Sequence, residues 1–545
     1  MPLATETTVG TGSRPRSTSR LPHELDERWR DRLAVGLPAA VAAILSFIAI
    51  TGRSLGFDEA ATVTIASQHG SALGSAIAHD GGNMSGYYLL LHLLIGAFGS
   101  GLLAIRFVSV LATVATVALI GVIGLRLFGR SVAFVAGVLG AVSLPLVFWA
   151  QNARGYAPMV AFVCAAFLAF VALARPGGVG LSRRGRLAWV LYVVFMTLAM
   201  YSSFVAVLVV PAQLAVLVRR RRLAARFVIA LAAVALLCVP LVLLATSRGS
   251  SQLFWLPRPT RKVETQVLQL LTSSGLQPNF HRTPITTLLL IVTVAALLAI
   301  AAAVWRRVRR GEGEQWAAIM LLSWVAVPVV LAWLASYVTQ PIFLPRNVLT
   351  SVPAVALLLA VGLSDRRLPR MAAVTAFVVL VGLRSWAVAA SYGVSPEPWQ
   401  QTTAYVLHHA QPGDCIAFYP EDARMAFAYY VGARGAAAPR SILPMARWGV
   451  VRPYVERYET LSPARIAASA GTGGGTGAPG SGCVRMWFVS SHEGQPNAPA
   501  ASLANRARFL KLRADLERQY GRAPIHQFGY ASAIHVQLLP GRGGD

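Results

Sequence analysis

"LAVGLPAAVAAILSFIAITGRSLGFDEAATVTIA" (residues 33–66) decides how the rest of the chain is read. Its first part, residues 33–50, is apolar and carries no charge. A bilayer core of about 30 Å needs roughly 20 apolar residues in a helix, so this run reads as a first membrane span. Just beyond it stand two adjacent acids, Asp58 and Glu59, in a chain with only 22 Asp plus Glu. A carboxylate pair at a membrane surface is either a solvated loop end or a working group. The dipeptide alone does not choose between them.

The composition extends the membrane reading to the whole chain. Of 545 residues, 55% are hydrophobic and 13% charged, and mean hydropathy is +0.56. That profile belongs to polytopic membrane proteins, not to soluble domains. The formal charge of +27 does not indicate a nucleic-acid partner, because the basic residues fall in short clusters between apolar runs. The first 32 residues are polar, and no small-residue cleavage site follows the first span, which reads as uncleaved. Apolar runs near span length lie at 33–50, 103–126, 131–150, 157–174, 187–203, 204–218, 225–245, 285–304, 316–336, 346–363 and 371–390, eleven in all. The run 204–218 is the shortest of them, and its boundary with its predecessor is soft.

Charge sets the orientation. Arginines cluster in the N-terminal tail, at Arg126 and Arg130, Arg175 to Arg186, Arg219 to Arg222, Arg306 to Arg310 and Arg366 to Arg370. With eleven spans all of these share the side of the N-terminus, which is then cytoplasmic by the positive-inside rule. Segments 52–102, 151–156, 246–284 and 337–345, and everything after about 390, then lie outside. "GYYLLLHLLIGAF" (86–98) is too short to span comfortably and would invert every later cluster. It reads as a helix at the outer interface.

The last 150 or so residues change character. Strand-length runs, "DCIAFYP" (414–420), "CVRMWFVS" (483–490) and "SAIHVQLL" (532–539), alternate with helical stretches at 398–410, 421–433 and 502–520. That alternation predicts a small α/β domain. The chain thus divides into a cytoplasmic tail (1–32), a membrane domain (33–390) whose first outer loop spans 52–102, and an extracytoplasmic α/β domain (391–545). "GTGGGTGAPGSG" (471–482) reads as a surface loop. Cys164 and Cys238 fall within spans. Cys415 and Cys483 fall in the outer domain, where an oxidising compartment permits a disulfide; two unrelated thiols are the alternative.

Four places hold residues suited to chemistry. Asp58 and Glu59 are the first. "HDGGNMSGYYLLLH" (79–92) puts Asp80, His79 and His92 on the same outer shelf, so Asp80 is a second candidate base. A divalent metal is admissible there, but the ligand spacing does not indicate one. "WAQNARGYAPM" (149–159) sets Arg154 and Tyr156 at the outer junction of two spans, where an interfacial anchor is the alternative. "QPIFLPRNVLTSVPAVALLLA" (340–360) opens a span with Arg346, and Arg106 lies near the outer end of another. Either guanidinium matches a phosphate bidentately.

The ordered series formed by the acidic pair after the first span, "YYLLLH", "AIRFVSV" (104–110), "RLFGR" (126–130), "QNARGYA" and "LPRNVLTSVPAVALLLA" resembles the GT-C glycosyltransferases. The resemblance is to the dolichyl-phosphate-mannose protein mannosyltransferase type (glycosyltransferase family 39), bacterial branch, over roughly residues 33–390. Many relatives have an "HPPLYY"-like stretch where this chain has "DGGNMSGYY". The resemblance implies a GT-C-like membrane domain and a sugar donor on a polyprenyl phosphate. It implies a mannose or a pentose such as arabinose, moved with inversion to a hydroxyl of a glycan, lipid or protein acceptor. Asp58 would be the catalytic base supported by Glu59, with Asp80 second. Arg346 would hold the donor phosphate, with Arg154, Tyr156 and Arg106 behind it, and no cofactor is required. A transporter or flippase for a lipid-linked substrate is the alternative class, but it should place ionisable residues deep in spans.

Overall fold

The computed structural model describes residues 20–174, 182–217, 221–248, 258–275, 283–309, 315–339, 341–432, 438–450, 483–494, 500–529 and 533–541. The glycine-rich stretch 471–482, residues 1–19 of the tail and several of the clustered arginines, Arg175, Arg219 and Arg220 among them, lie outside the described residues. The chain begins with helices α1 (Arg20–Phe47), α2 (Phe57–Ala66), α3 (Ser71–His79), α4 (Ser85–Phe98) and α5 (Leu102–Phe128). Next come α6 (Arg130–Ala141), α7 (Leu144–Ala150), α8 (Tyr156–Ala174) and α9 (Arg183–Ser202).

All eleven apolar runs are helical. Among the described residues, seven single helices are long and apolar enough to cross a membrane, and two bent pairs raise that to nine. One pair is α6 with α7, bent by 58°. The two remaining runs fall short for local reasons. The first lies in α1, which starts among charged residues and stops at Phe47, three residues before the run ends. The second, Phe204–Leu217, opens as a 3-10 turn and is only a short apolar helix. The segment expected at the outer interface is α4, also a short apolar helix. Outward faces carry exposed Ile229, Leu236, Leu298 and Val378, as lipid-facing surfaces do. The protein is a multi-pass membrane protein.

Small residues let the helices close up. A Cβ added at Gly137 of α6 would stand 2.9 Å from Pro38 of α1, so only glycine permits that approach. The break between α6 and α7 frees backbone carbonyls, and one of them, Leu139, accepts a hydrogen bond from Arg384 Nη1 at 3.0 Å. A charge this deep in the bundle matches what the transporter alternative expects, but its partner here is a helix end, where cations are favoured.

The C-terminal part holds a five-stranded sheet of order β2-β1-β3-β5-β4. Its strands are β1 (Cys415–Tyr419), β2 (Arg440–Leu443), β3 (Met486–Ser490), β4 (His526–Phe528) and β5 (Ile534–Leu539). β1 pairs in parallel with β2 and β3, while β5 is antiparallel to β3 and β4. β1, β3 and β5 fall on the runs read as strands; β2 and β4 are too short and too polar to signal themselves. The alternation of side chains divides the sheet's packing. Ala417, Tyr419, Met486 and Phe488 face the helix Ala500–Tyr520 through Phe509, Leu512 and Leu516. Ile416, Phe418, Trp487 and Val489 face the other way and join the same core as the helix bundle. Two helices carry that junction, Trp399–His409 and Ala423–Val431. The structure joins Cys415 and Cys483 by a disulfide, with 5.4 Å between Cα atoms.

Candidate functional site

The two acids of the opening stretch do different things because they are neighbours on a helix. Gly56 is the N-cap of α2, and Asp58 and Glu59 sit in its first turn, where the helix dipole favours negative charge. Successive helical residues point about 100° apart. Glu59 turns into the protein and Asp58 turns to a partly open face.

Glu59 is fixed on all sides. Its Oε1 accepts from Arg106 Nε at 3.0 Å and from the Ala153 backbone at 2.7 Å. Its Oε2 accepts from Arg106 Nη2 at 2.8 Å and from the Gly56 backbone N–H at the helix N-cap at 3.3 Å. The pair is buried, with side-chain exposures of 0% for Arg106 and 2% for Glu59. Arg106 also donates to the carbonyls of Ile50, Arg53 and Ser54. Arg106 was expected at a donor phosphate. Its N–H groups bond Glu59 and the carbonyls of the loop after the first helix.

Asp58 keeps 44% of its side chain exposed. Its Oδ2 accepts from Arg346 Nη1 at 2.9 Å, and Arg154 Nη2 stands 3.8 Å away. Burial pushes the Asp58 carboxyl up, but Arg154, Arg346 and then His492 outweigh it and hold it below the usual carboxylate range. Arg154 Nη1 also donates to the Asp58 carbonyl at 3.2 Å and to Thr62 Oγ1 at 3.1 Å. Its guanidinium lies 5.9 Å from the Tyr156 ring centre, and that ring packs on Trp149. Gly155 makes this turn possible, because a Cβ there would run into the Ser202 carbonyl. Arg346 opens the 3-10 turn Pro345–Ser351 and is itself partly exposed.

Five of the expected residues thus form one constellation: Asp58, Glu59, Arg154, Tyr156 and Arg346, with Arg106 behind it. Asp80, at the end of α3, is buried and accepts from the Tyr88 hydroxyl at 2.7 Å. His92 bonds the Ala66 carbonyl through Nδ1 at 2.8 Å and packs edge-on against His69. Among the described residues, no group of three or more His, Cys, Asp or Glu forms a metal-binding cluster.

The sequence reading missed the contribution of the C-terminal part. The backbone N–H groups leading into α2 are bonded by its side chains. Ser54 donates to Ser395 Oγ at 2.9 Å, Leu55 to the Tyr430 hydroxyl at 2.6 Å, and Phe57 to Glu397 Oε2. His492 Nε2 stands 3.4 Å from Glu397 Oε1, and its ring packs on Phe57 with centres 4.9 Å apart. Burial pushes the Glu397 carboxyl above its ordinary range, more than His492 and the Phe57 N–H pull it down. Nothing local in the sequence signals these residues. Only the fold brings positions 395–492 to position 57.

Residues 84–244 match the sequence model of the dolichyl-phosphate-mannose-protein mannosyltransferase family. That segment holds Arg106, Arg154 and Tyr156 but neither Asp58 nor Arg346. No curated protein matches the chain by sequence. In fold it is similar to ArnT from Cupriavidus metallidurans bound to undecaprenyl phosphate: TM-score 0.52, 12% identity, 92% of this chain and 97% of that one covered. It is also similar to the oligosaccharyltransferase AglB from Archaeoglobus fulgidus in complex with an inhibitory peptide and a dolichol-phosphate. There the TM-score is 0.54 at 12% identity, covering 94% of this chain and 74% of that one. The chain has a GT-C fold. The motif resemblance therefore holds in sequence over 84–244 and in fold over nearly the whole length.

Proposed function

We propose that this protein is a membrane glycosyltransferase that moves a sugar from a polyprenyl-phosphate donor to an acceptor hydroxyl. One observation carries the reading: a partly exposed carboxylate, Asp58, stands between two arginines that arrive from different places, Arg154 from the turn before α8 and Arg346 from the 3-10 turn Pro345–Ser351. Those are the two components the reaction needs. Asp58 takes the proton from the acceptor hydroxyl as its oxygen attacks the anomeric carbon. The bond from that carbon to the phosphate oxygen breaks, and configuration inverts. The leaving lipid phosphate gains negative charge, which Arg346 and Arg154 stabilise. Tyr156 keeps Arg154 in place, and Glu59 fixes the helix that presents Asp58. Asp80 is the second choice of base.

The family match and the ligands of the similar structures support a polyprenyl-phosphate donor. The family name favours mannose, and a pentose such as arabinose is the other sugar in this reading. The acceptor is a glycan, lipid or protein. Its place is the cell membrane, with the N-terminus cytoplasmic and residues 391–545 outside, a reading supported by the positive-inside bias of the arginine clusters. The test is transfer from defined polyprenyl-phosphate sugars into membranes with and without the protein. Wild-type protein should transfer one of them, and Asp58→Asn should not. Arg346→Ala should weaken donor binding as well as turnover. Transfer that is indifferent to both changes refutes the reading.

A further inference from the structure

Glu397 and His492 lie in the C-terminal part, 95 positions apart, yet they meet at the first turn of the helix that carries Asp58. Glu397 is almost covered, at 13% exposure, and is held there by the Phe57 N–H and by Trp399 Nε1 at 3.3 Å. His492 is different: its side chain is 43% exposed, although one face of its ring lies on Phe57. Its backbone has φ of +52°, the left-handed region that a histidine adopts only at some energetic disadvantage. Such strain persists where surrounding structure enforces it, and it clusters at ligand sites. His492 is also close enough to act electrostatically on the Asp58 carboxylate.

The cations beside Asp58 and the histidine come from different parts of the molecule. Arg154 and Arg346 belong to the helix bundle, the side from which a lipid phosphate arrives. His492 belongs to the sheet-bearing part, the side from which a water-borne acceptor arrives. We propose that His492, oriented by Glu397, is the acceptor subsite of this enzyme: it hydrogen-bonds a hydroxyl-rich acceptor, a glycan, and sets one hydroxyl against Asp58. This rests on the glycosyl-transfer reading above. The Glu397 carboxylate stands 3.4 Å from Nε2 and the Ser491 hydroxyl 3.2 Å from Nδ1, where that hydroxyl can exchange for a sugar hydroxyl. Glu397 touches no acceptor; it is a positioning residue, its carboxylate drawing the imidazole to the first turn of α2.

The test uses the full-length protein in lipid nanodiscs with a radiolabelled polyprenyl-phosphate sugar. The acceptor probe is a delipidated cell-envelope glycan fraction, titrated to saturation. His492→Ala should raise the half-saturating glycan concentration about tenfold, the worth of one good hydrogen bond. Donor binding, read by retention of labelled lipid, should stay within about twofold. His492→Gln, which keeps one hydrogen-bonding group, should recover part of the affinity, and Glu397→Gln should fall between. Unchanged half-saturation in His492→Ala overturns the proposal. Equal loss of donor and glycan binding, unrelieved in His492→Gln, also overturns it, because the role would then be structural. A wild-type protein that transfers no sugar from any polyprenyl-phosphate donor overturns the glycosyl-transfer reading first, and the subsite with it.

Discussion

Neutralising the two adjacent acids one at a time should give opposite phenotypes. Asp58→Asn removes a carboxylate that is 44% exposed and paired with an arginine that is 27% exposed. Exposed ion pairs contribute about 0.2–1 kcal/mol, so the fold should lose about 1 kcal/mol at most. The lost base, by contrast, should lower turnover by about 10²–10⁴. Glu59→Gln reverses the balance. It leaves Arg106, wholly buried, facing an amide in place of a bidentate carboxylate. Breaking one side of a buried pair typically destabilises by about 3–5 kcal/mol. That is a large fraction of the roughly 5–15 kcal/mol by which folded proteins are stable. Thermal unfolding in detergent, read beside sugar transfer, separates the two. Asp58→Asn should melt near wild type and be inactive, whereas Glu59→Gln should melt much lower or fail to accumulate. If Asp58→Asn turns over normally, or Glu59→Gln is as stable as wild type, the division of labour argued from burial is wrong.

Other outcomes follow from the same geometry. The acid limb of kcat/KM should lie below about 3.9, the ordinary aspartate value, because the arginines depress Asp58. The sign follows from that direction: any stability Asp58 contributes is present above its unfolded pKa and is lost as pH falls through the folded one. Arg346→Gln should move the limb upward; an unmoved limb would mean that another group is titrating. Gly155→Ala should cut the yield of folded protein, since its Cβ meets the Ser202 carbonyl, and a fully stable variant would refute that packing. Intact-mass analysis of alkylated, unreduced protein should find Cys415 and Cys483 unmodified. The bond spans 68 positions, so its loss should destabilise the sheet by about 4 kcal/mol in the chain-entropy treatment. Modification of both thiols would refute the bridge.

What the sequence disclosed follows from how far each signal reaches. Apolar runs are local, so all eleven appear as helices, and only their limits differ. The first helix stops at Phe47 because the chain must turn there to bring Ile50, Arg53 and Ser54 carbonyls onto Arg106. The break between α6 and α7 falls at Val142 and Ser143, just before Pro145, whose missing N–H ends one helix and suits the first turn of the next; hydropathy alone passes over it. Asp58, Arg154 and Arg346 were legible as charges at span ends, where the bilayer makes a charge informative. Arg106 gives the same signal, and sequence cannot show that Glu59 pairs with it. Glu397 and His492 gave none, being ordinary polar residues in a polar region.

That last gap bears on what the C-terminal part does. A binding module appended to a membrane enzyme would touch it through surface side chains and leave the catalytic loop to hold itself. Here three backbone donors of the loop, at Ser54, Leu55 and Phe57, are bonded by Ser395, Tyr430 and Glu397. The fourth, at Gly56, goes to Glu59, and Glu59 is held by Arg106 and Ala153 from the bundle. The first turn of α2 is therefore gripped from both sides, with every N–H from residue 54 to 57 assigned. Helix N-termini leave such donors unmatched unless something nearby accepts them. The acceptors come from residues more than 330 positions away. The position of Asp58 is thus a property of the packed whole, and the membrane helices alone would present that carboxylate on a loop with three unanswered backbone donors.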